Sequence, residues 1–162
     1  MGDGAKRTRG GVVMAGLIYH GDAAAGAISG YAAPPMATRK TILVVDDSQA
    51  VIDALTAAFE EAGYAVAAAS DGEEVFRKMA ATNPDALLLD IYMPKLNGAD
   101  VCRLVKAHPH WKKTFLILMS SRISDKEIEM YRRIGADEIL KKPFDPGAAV
   151  QIVARAVGAS GF

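Results

Sequence analysis

The residues of this sequence that could perform chemistry stand at the ends of short apolar runs. These positions are Asp46 and Asp47, Asp90, Ser120 and Lys142. Three carboxylates brought to one place repel one another, so such a cluster requires a cation. Oxygen ligands suit a hard ion such as Mg²⁺, which keeps some waters and often binds a phosphate. A lysine ammonium and a serine hydroxyl nearby would fit a phosphoryl group, and a carboxylate can attack phosphorus to give an acyl phosphate.

Each of these residues also has an ordinary structural interpretation. An aspartate at the end of a strand often caps the following helix, and Asp47 with Ser48 could do so here. Ser120 alone could be a loop residue, and Lys142 alone could be a solvated surface charge. Their joint occurrence at successive strand ends favours one shared site.

The segments that would position these residues follow two alternating patterns. Runs typical of buried parallel strands lie at 41–45, 64–69, 86–89, 115–119 and 138–140. Each run is followed by apolar residues at helical spacing, with helices ending near residues 63, 83, 109, 135 and 157. Five strands alternating with five helices predict a parallel sheet covered on both faces. In such a fold the functional crevice lies beyond the carboxyl ends of the strands.

Composition excludes several classes of function. The 162 residues carry 19 Lys and Arg against 19 Asp and Glu, and this balance argues against nonspecific nucleic-acid binding. The single cysteine, Cys102, excludes an internal disulfide and a cysteine-based zinc site. The hydrophobic share of 51% is inflated by 29 alanines, and no apolar run approaches the roughly 20 residues of a membrane span. We therefore expect a soluble, cytoplasmic protein with no nucleic-acid and no membrane partner.

The beginning of the chain differs from the rest. Residues 1–37 hold eight of the 15 glycines and show little periodicity, so we predict a mostly disordered extension there and one folded domain over 38–162. A secretion signal is a weaker interpretation, because the apolar stretch 12–18 is short and contains Gly16. Met36 is a possible natural start, which mass spectrometry of the native N-terminus would reveal.

The strand ends resemble those of the receiver domain of two-component response regulators, in its stand-alone, chemotaxis-type form. The matching stretches are 42–48 (ILVVDDS), 88–94 (LLDIYMP) followed by Asn97-Gly98, 118–121 (LMSS) and 141–144 (KKPF). The spacings from residue 90 to residues 120 and 142 match as well, and the resemblance extends over about residues 40–156. It implies a flavodoxin-like, doubly wound (βα)5 fold whose five-stranded parallel sheet has the order 2-1-3-4-5.

The resemblance implies that the site receives a phosphoryl group. Asp90 would be the phosphoacceptor, taking the group from the phosphohistidine of a sensor histidine kinase or a histidine phosphotransfer protein. Lys142, followed by a cis peptide bond to Pro143, would contact the phosphoryl group, and Ser120 would swing toward it. The protein would catalyse only its own phosphorylation and dephosphorylation. Phosphorylation would change the surface formed by helix four, strand five and helix five, and this change would alter the binding of an unidentified downstream protein. The protein itself would be a monomer or a weak homodimer.

The resemblance also implies a metal site made of oxygen atoms. Asp47 would bind Mg²⁺ directly, Asp46 directly or through a water molecule, and the phosphoacceptor Asp90 would share the ion. The backbone carbonyl of Tyr92 would be a further ligand. Ser121 is small, which would keep the phosphoryl pocket open.

Three positions around the pocket depart from the family or vary within it. The family often has an aromatic switch residue three positions before the pocket lysine, whereas this sequence has Ile139. We therefore expect packing to replace an aromatic flip. Tyr92 and Arg122 lie two residues beyond Asp90 and Ser120. They would line the rim where hydrolytic water enters, or else be plain surface residues.

Other functions fit the sequence less well. A Mg²⁺-dependent phosphatase that uses an aspartyl phosphate needs an Asp-x-Asp spacing, which Asp46-Asp47-Ser48 lacks. A non-signalling module with a degenerate pocket would not need the full set of acidic residues and the lysine. Only residues 158–162 follow the last predicted helix, so we expect output through another protein, unless the chain is part of a larger regulator.

Overall fold

The computed structural model describes residues 12–14, 17–19 and 38–159. The chain divides into two units, residues 1–36 and 37–162. In the first unit, strands β1 (Val12–Met14) and β2 (Leu17–Tyr19) pair in the antiparallel direction. The expectations of disorder, of a secretion signal and of a start at Met36 fall largely outside the described residues, and they stay predictions.

The second unit alternates strands and helices as the sequence pattern predicts. Its strands are β3 (Thr41–Val45), β4 (Ala65–Ala69), β5 (Ala86–Asp90), β6 (Tyr92–Met93), β7 (Leu96–Asn97), β8 (Phe115–Ser120) and β9 (Glu138–Lys141). Its helices are α1 (Gln49–Glu61), α2 (Gly72–Thr82), α3 (Gly98–Ala107), α4 (Asp125–Arg133) and α5 (Pro146–Val157). Five strands form one parallel sheet in the order β4-β3-β5-β8-β9. If the five strands of this sheet are renumbered 1 to 5 in chain order, their order across the sheet is 2-1-3-4-5, which confirms the predicted flavodoxin-like fold.

The central strands of this sheet carry apolar side chains on both faces. Leu43 and Leu87 belong to one buried cluster, with residues of α2 and α3. Ile42 and Leu88 belong to a second cluster, with residues of α1 and α5. A parallel strand that is covered on both faces reads as a continuous apolar run, which is why the sequence located these strands within a residue or two. Among the described residues, no helix has the length and apolarity needed to cross a membrane.

Capping side chains define the starts of several helices. Asp71 accepts a hydrogen bond from the Glu74 amide at the start of α2. Ser124 and Glu127 form the reciprocal capping box that the sequence predicts at the start of α4. Ser48 is the N-cap residue of α1, but its side chain makes no capping hydrogen bond. The interpretation of Asp47 with Ser48 as a cap of α1 therefore finds no support in a side-chain capping hydrogen bond.

A small hairpin follows the third strand of the sheet, where the sequence pattern predicted only a loop. Strands β6 and β7 pair through Tyr92 with Asn97 and through Met93 with Leu96. The turn between them places Lys95 at φ 70°, a left-handed conformation that is uncommon for a residue other than glycine. Two-residue strands are too short to show the alternation that reveals longer strands, so the sequence pattern missed this hairpin.

Gly98 permits the start of α3 to approach the strand that ends at Asp90. A Cβ atom added at Gly98 would lie 2.8 Å from the Ile91 Cα and 3.0 Å from the Asp90 carbonyl oxygen. Both neighbours are backbone atoms and cannot rotate away. We expect Gly98→Ala to lower the free energy of unfolding by about 1–3 kcal/mol, as overpacking does elsewhere. Urea denaturation of the variant and the wild type measures this difference.

Gly147→Ala is the matched control for this prediction, because Gly147 also lies in the first turn of a helix. Its added Cβ would meet the Asp145 side chain at 2.8 Å, but that side chain is exposed and can move. We expect a change of less than about 0.5 kcal/mol in this control. Equal stabilities of Gly98→Ala and the wild type would contradict the close approach.

Candidate functional site

Three carboxylates converge at the carboxyl edge of the sheet. Asp46 and Asp47 follow β3, and Asp90 ends the neighbouring strand β5. One oxygen atom from each of the three side chains lies within 4.8 Å of the others. Asp46 and Asp90 are buried, whereas Asp47 is exposed. The parallel sheet brings them together because the ends of adjacent parallel strands lie side by side.

Lys142 balances part of this negative charge. Its Nζ atom donates a hydrogen bond to Oδ2 of Asp46 at 2.5 Å and lies 3.7 Å from Oδ2 of Asp90. The other carboxylate oxygen of Asp46 accepts a hydrogen bond from the Ser48 amide at 2.9 Å. Asp46 is thus held by an ion pair and a backbone donor, as a buried carboxylate requires. The lysine lies after β9, so an ion pair across 96 residues joins two separated strand ends.

The carboxyl group of Asp90 lies at the centre of the site. Burial raises the pKa of Asp90 above its ordinary value, and the Lys142 charge opposes this effect. The nearby Asp46 and Asp47 carboxylates raise the pKa further, while a hydrogen bond from the Tyr92 amide at 3.4 Å lowers it. The protein therefore holds an ionised Asp90 at a cost, which a bound cation would relieve.

The hydroxyl of Ser120 points along the chain toward the following loop. It donates a hydrogen bond to the Arg122 carbonyl at 2.6 Å and accepts one from the Arg122 amide at 3.1 Å. Ser120 is fully buried at the end of β8, and its own carbonyl accepts a hydrogen bond from the Lys142 amide. To donate to a phosphoryl group on Asp90, the hydroxyl would have to give up its hydrogen bond to the Arg122 carbonyl.

The remaining predicted positions lie around the edge of the site. Ser121 and Arg122 are exposed, and Tyr92 has 54% of its surface accessible. The peptide bond between Lys142 and Pro143 is cis. Ile139 lies in β9 and packs against the apolar cluster on the α2 and α3 face of the sheet.

Two features of the site were not predicted from the sequence. The Tyr92 phenol donates a hydrogen bond to Glu127 Oε1 at 3.3 Å, which links the loop after Asp90 to α4. A cavity of about 420 Å³ also lies beside Lys142, between α1 and the segment leading to α5. Its lining is mainly apolar and includes Val51, Ala54 and Phe144. The capping-box motif marked Glu127 as a helix residue, but no sequence signal indicated its contact with the tyrosine.

The donor set fits a hard divalent cation. All three side chains offer carboxylate oxygens, and the ion would offset a repulsion that Lys142 only partly relieves. Cysteine and histidine side chains, which favour softer ions, do not belong to this group of ligands. Mg²⁺ accepts a small number of carboxylates and completes its shell with water and phosphate oxygens, which suits a site on the edge of a sheet.

Comparison with protein families identifies this arrangement. The family model for the response regulator receiver domain matches residues 42–154. The alkaline phosphatase synthesis transcriptional regulatory protein PhoP of Bacillus subtilis is 39% identical over 109 residues. That match covers 66% of this chain and 44% of PhoP. Response regulator MprA of Mycobacterium ulcerans is 39% identical over 103 residues, covering 64% of this chain and 44% of MprA. The chain thus spans less than half the length of these curated relatives.

Solved structures with the same fold come from two kinds of signalling protein. The chemotaxis response regulator CheY4 of Vibrio cholerae matches with a TM-score of 0.68 and 27% identity, over 74% of this chain and 99% of CheY4. The receiver domain of the sensor histidine kinase PA1611 from Pseudomonas aeruginosa matches with a TM-score of 0.67 and 25% identity, over 75% of this chain and 99% of that domain. Its structure has a magnesium ion coordinated in the active-site cleft. From its matched residues and its fold, this chain belongs to the family of response regulator receiver domains, the phosphoacceptor domains of two-component systems.

Proposed function

We propose that Asp90 is the phosphoacceptor of this receiver domain and that Mg²⁺ is its cofactor. The observation that carries the proposal is the convergence of Asp46, Asp47 and Asp90 beside Lys142. Asp90 lies close enough to Lys142 for the ammonium group to contact a phosphoryl group attached to the carboxylate. Asp46 and Asp47 would hold the metal ion together with Asp90 and the backbone carbonyl of Tyr92.

The proposed reaction is the transfer of a phosphoryl group from nitrogen to oxygen. A carboxylate oxygen of Asp90 attacks phosphorus, the P–O bond forms, and the P–N bond of the phosphohistidine breaks. The electron pair of that bond returns to the imidazole of the donor. Bound Mg²⁺ would neutralise charge on the phosphoryl oxygens during this transfer. Lys142 neutralises a further part of that charge, and the fold holds the nucleophile beside it, which is how positioning and electrostatics accelerate phosphoryl transfer.

The partners belong to the same proposal. We propose a sensor histidine kinase or a histidine phosphotransfer protein as the donor, docked over the apolar cavity that adjoins Lys142. Ala54 on α1 and Phe144 line that cavity, so an apolar surface of the donor has a place to bind next to the phosphoryl site. The face of α4, β9 and α5 would bind the downstream protein. A monomeric or weakly dimeric state and a cytoplasmic location stay predictions.

Labelling with phosphoramidate tests the proposed function. We expect the purified protein to take up one phosphoryl group with Mg²⁺ and none with EDTA, as read by intact-protein mass spectrometry. The same preparation should not turn over phosphate monoesters. A lack of uptake in the presence of Mg²⁺ would rule out the phosphoacceptor function, and steady hydrolysis of esters would favour the phosphatase alternative.

Asp47→Asn should remove most of the affinity for the metal ion. Asp47 is the exposed carboxylate of the site, so its replacement leaves the buried pair of Asp46 and Lys142 intact. A ligand that binds only the folded protein stabilises it by about 2.7 kcal/mol at 100 times its dissociation constant. We expect Mg²⁺ to raise the melting temperature of the wild type and to leave that of Asp47→Asn nearly unchanged.

Asp53→Asn is the control for the metal prediction, because Asp53 is an exposed carboxylate on α1 outside the cluster. It should retain the full response to Mg²⁺. Equal responses of Asp47→Asn and the wild type would remove Asp47 from the metal site.

A further inference from the structure

Tyr92 contacts both the phosphoacceptor and the helix that follows Ser120. Its amide donates a hydrogen bond to Oδ1 of Asp90, and its phenol donates one to Oε1 of Glu127. The two contacts are made by the backbone and the side chain of one residue. The backbone pairing of Tyr92 with Asn97 in the hairpin restricts how the residue can move. Because the amide and the phenol belong to this one restrained residue, a shift of the amide would also shift the phenol relative to Glu127.

Glu127 caps the first turn of α4 together with Ser124. Its carboxylate accepts hydrogen bonds from the Ser124 amide at 2.8 Å and from the Ser124 hydroxyl at 2.6 Å. The Ser124 hydroxyl in turn accepts a hydrogen bond from the Glu127 amide. These contacts form the capping box that starts the helix. The Tyr92 phenol thus binds the group that fixes the position of the helix start.

The segment between β8 and α4 makes hydrogen bonds at both of its ends with residues of the candidate site. At one end, the Ser120 hydroxyl binds the backbone of Arg122. At the other end, Tyr92 binds Glu127. A phosphoryl group on Asp90 would compete for the Ser120 hydroxyl, whose present acceptor is the neutral Arg122 carbonyl, because charged oxygens accept stronger hydrogen bonds than neutral ones. It would also convert the Asp90 carboxylate, the present acceptor of the Tyr92 amide, into an acyl phosphate whose charge lies on the phosphoryl oxygens.

We propose that Tyr92 is a positioning residue that latches the first turn of α4, through Glu127, while Asp90 is unphosphorylated. Phosphorylation draws the Tyr92 amide toward the phosphoryl oxygens and releases the phenol from Glu127. The latch rests on the proposed function, since it needs a phosphoryl group on Asp90. It supplies a side-chain connection to α4 that the apolar Ile139, packed against the core, does not provide.

The variant Tyr92→Phe removes the phenol oxygen and keeps the amide and carbonyl of the residue. A hydrogen bond that exists only in the unphosphorylated state opposes the switch by its own free energy. We expect its loss to tighten the binding of beryllofluoride, a phosphoryl mimic used with Mg²⁺, by about 2–5-fold, in line with the modest net strength of an exposed hydrogen bond. In the unliganded variant, the NMR signals of the Ser124 and Ile128 amides should move toward their positions in the beryllofluoride complex of the wild type.

A double-mutant cycle distinguishes the latch from a general effect of the substitution. Glu127→Ala removes the acceptor, so Tyr92→Phe should have no further effect on beryllofluoride affinity in that background. Glu129→Ala is the control, because Glu129 is an exposed carboxylate of the same helix that pairs with Arg133. In that background, the effect of Tyr92→Phe should keep its full size.

The outcomes separate the latch from the proposed function. If the wild type binds beryllofluoride but Tyr92→Phe changes neither its affinity nor the α4 signals, the latch is wrong and the phosphoacceptor site stands. Additive effects of Tyr92→Phe and Glu127→Ala would also overturn the latch, because Tyr92 would then act through another contact. If the wild type binds neither beryllofluoride nor a phosphoryl group, the proposed function fails, and the latch fails with it.

Discussion

Asp90→Asn is expected to reduce phosphoryl uptake from phosphoramidate by more than about 1,000-fold, because the amide cannot act as the nucleophile. The remaining site is preserved, since asparagine has nearly the same shape and Lys142 still pairs with Asp46. Time courses of intact-protein mass measure the uptake, with Mg²⁺ and phosphoramidate held in excess.

Asp100→Asn is the matched control, because Asp100 is an exposed carboxylate on α3 that pairs with Arg103. It should be labelled at the wild-type rate. Labelling of Asp90→Asn at that rate would place the phosphoacceptor elsewhere.

The stability of Asp90→Asn should also depend on pH differently from that of the wild type, and measuring it shows whether the variant is folded. The raised pKa of Asp90, caused mainly by burial, means that the ionised carboxylate destabilises the metal-free protein. The contribution of the Asp90 carboxyl group to folding stability is present below its pKa in the unfolded chain, about 4, and is lost as the pH rises through its higher pKa in the folded protein. Asp90→Asn lacks that loss, so in EDTA it should unfold at higher urea concentration than the wild type at pH 7. The difference should shrink toward pH 4, and an unchanged difference across this range would contradict the raised pKa.

Lys142→Met is expected to destabilise the metal-free protein by about 2–4 kcal/mol, because it leaves the Asp46 carboxylate buried without its charged partner. The Asp46 side chain is only 1% exposed, whereas that of Lys142 is 19% exposed. The partial exposure of the lysine places the expected loss toward the lower part of the range known for buried pairs. Urea denaturation in EDTA measures it.

Two further variants make this prediction specific. Lys141→Met changes the neighbouring, exposed lysine of β9, so its effect should stay within about 0.5 kcal/mol. Asp46→Asn combined with Lys142→Met removes both charges, and this pair should recover much of the lost stability. Mg²⁺ should also recover part of it, since the ion would replace the missing positive charge. A fully stable Lys142→Met protein in EDTA would mean that the ion pair contributes little.

The sequence predicted the sheet well because its central strands are buried on both faces. The run before Asp46 and the run before Asp90 were recognised from continuous apolar residues, and the structure places both strands within a residue of the predicted bounds. The hairpin at 92–97 was missed, because its strands of two residues each are too short to show a periodic pattern.

The individual contacts of the site required the structure. The sequence placed a serine and a tyrosine near the proposed phosphoacceptor, but it did not show that the Ser120 hydroxyl faces Arg122. Nor did it show that the Tyr92 phenol reaches Glu127, 35 residues away in sequence. The contact of Tyr92 depends on where tertiary packing places α4 relative to the loop after Asp90, whereas the contact of Ser120 depends on the local turn that follows β8.

The sequence by itself determined the chemical groups of the proposed site: three carboxylates, a hydroxyl and a lysine at the ends of parallel strands, which are the groups that binding of a cation and a phosphoryl group would need. Only the tertiary structure decided the different environments of two adjacent aspartates. Asp46 is buried against Lys142, whereas Asp47 remains exposed. The two residues are chemically identical in the sequence. They differ in the folded protein because the Asp46 side chain is buried where the Lys142 ammonium group reaches it and the Asp47 side chain is exposed, and burial then sets the electrostatic role of each.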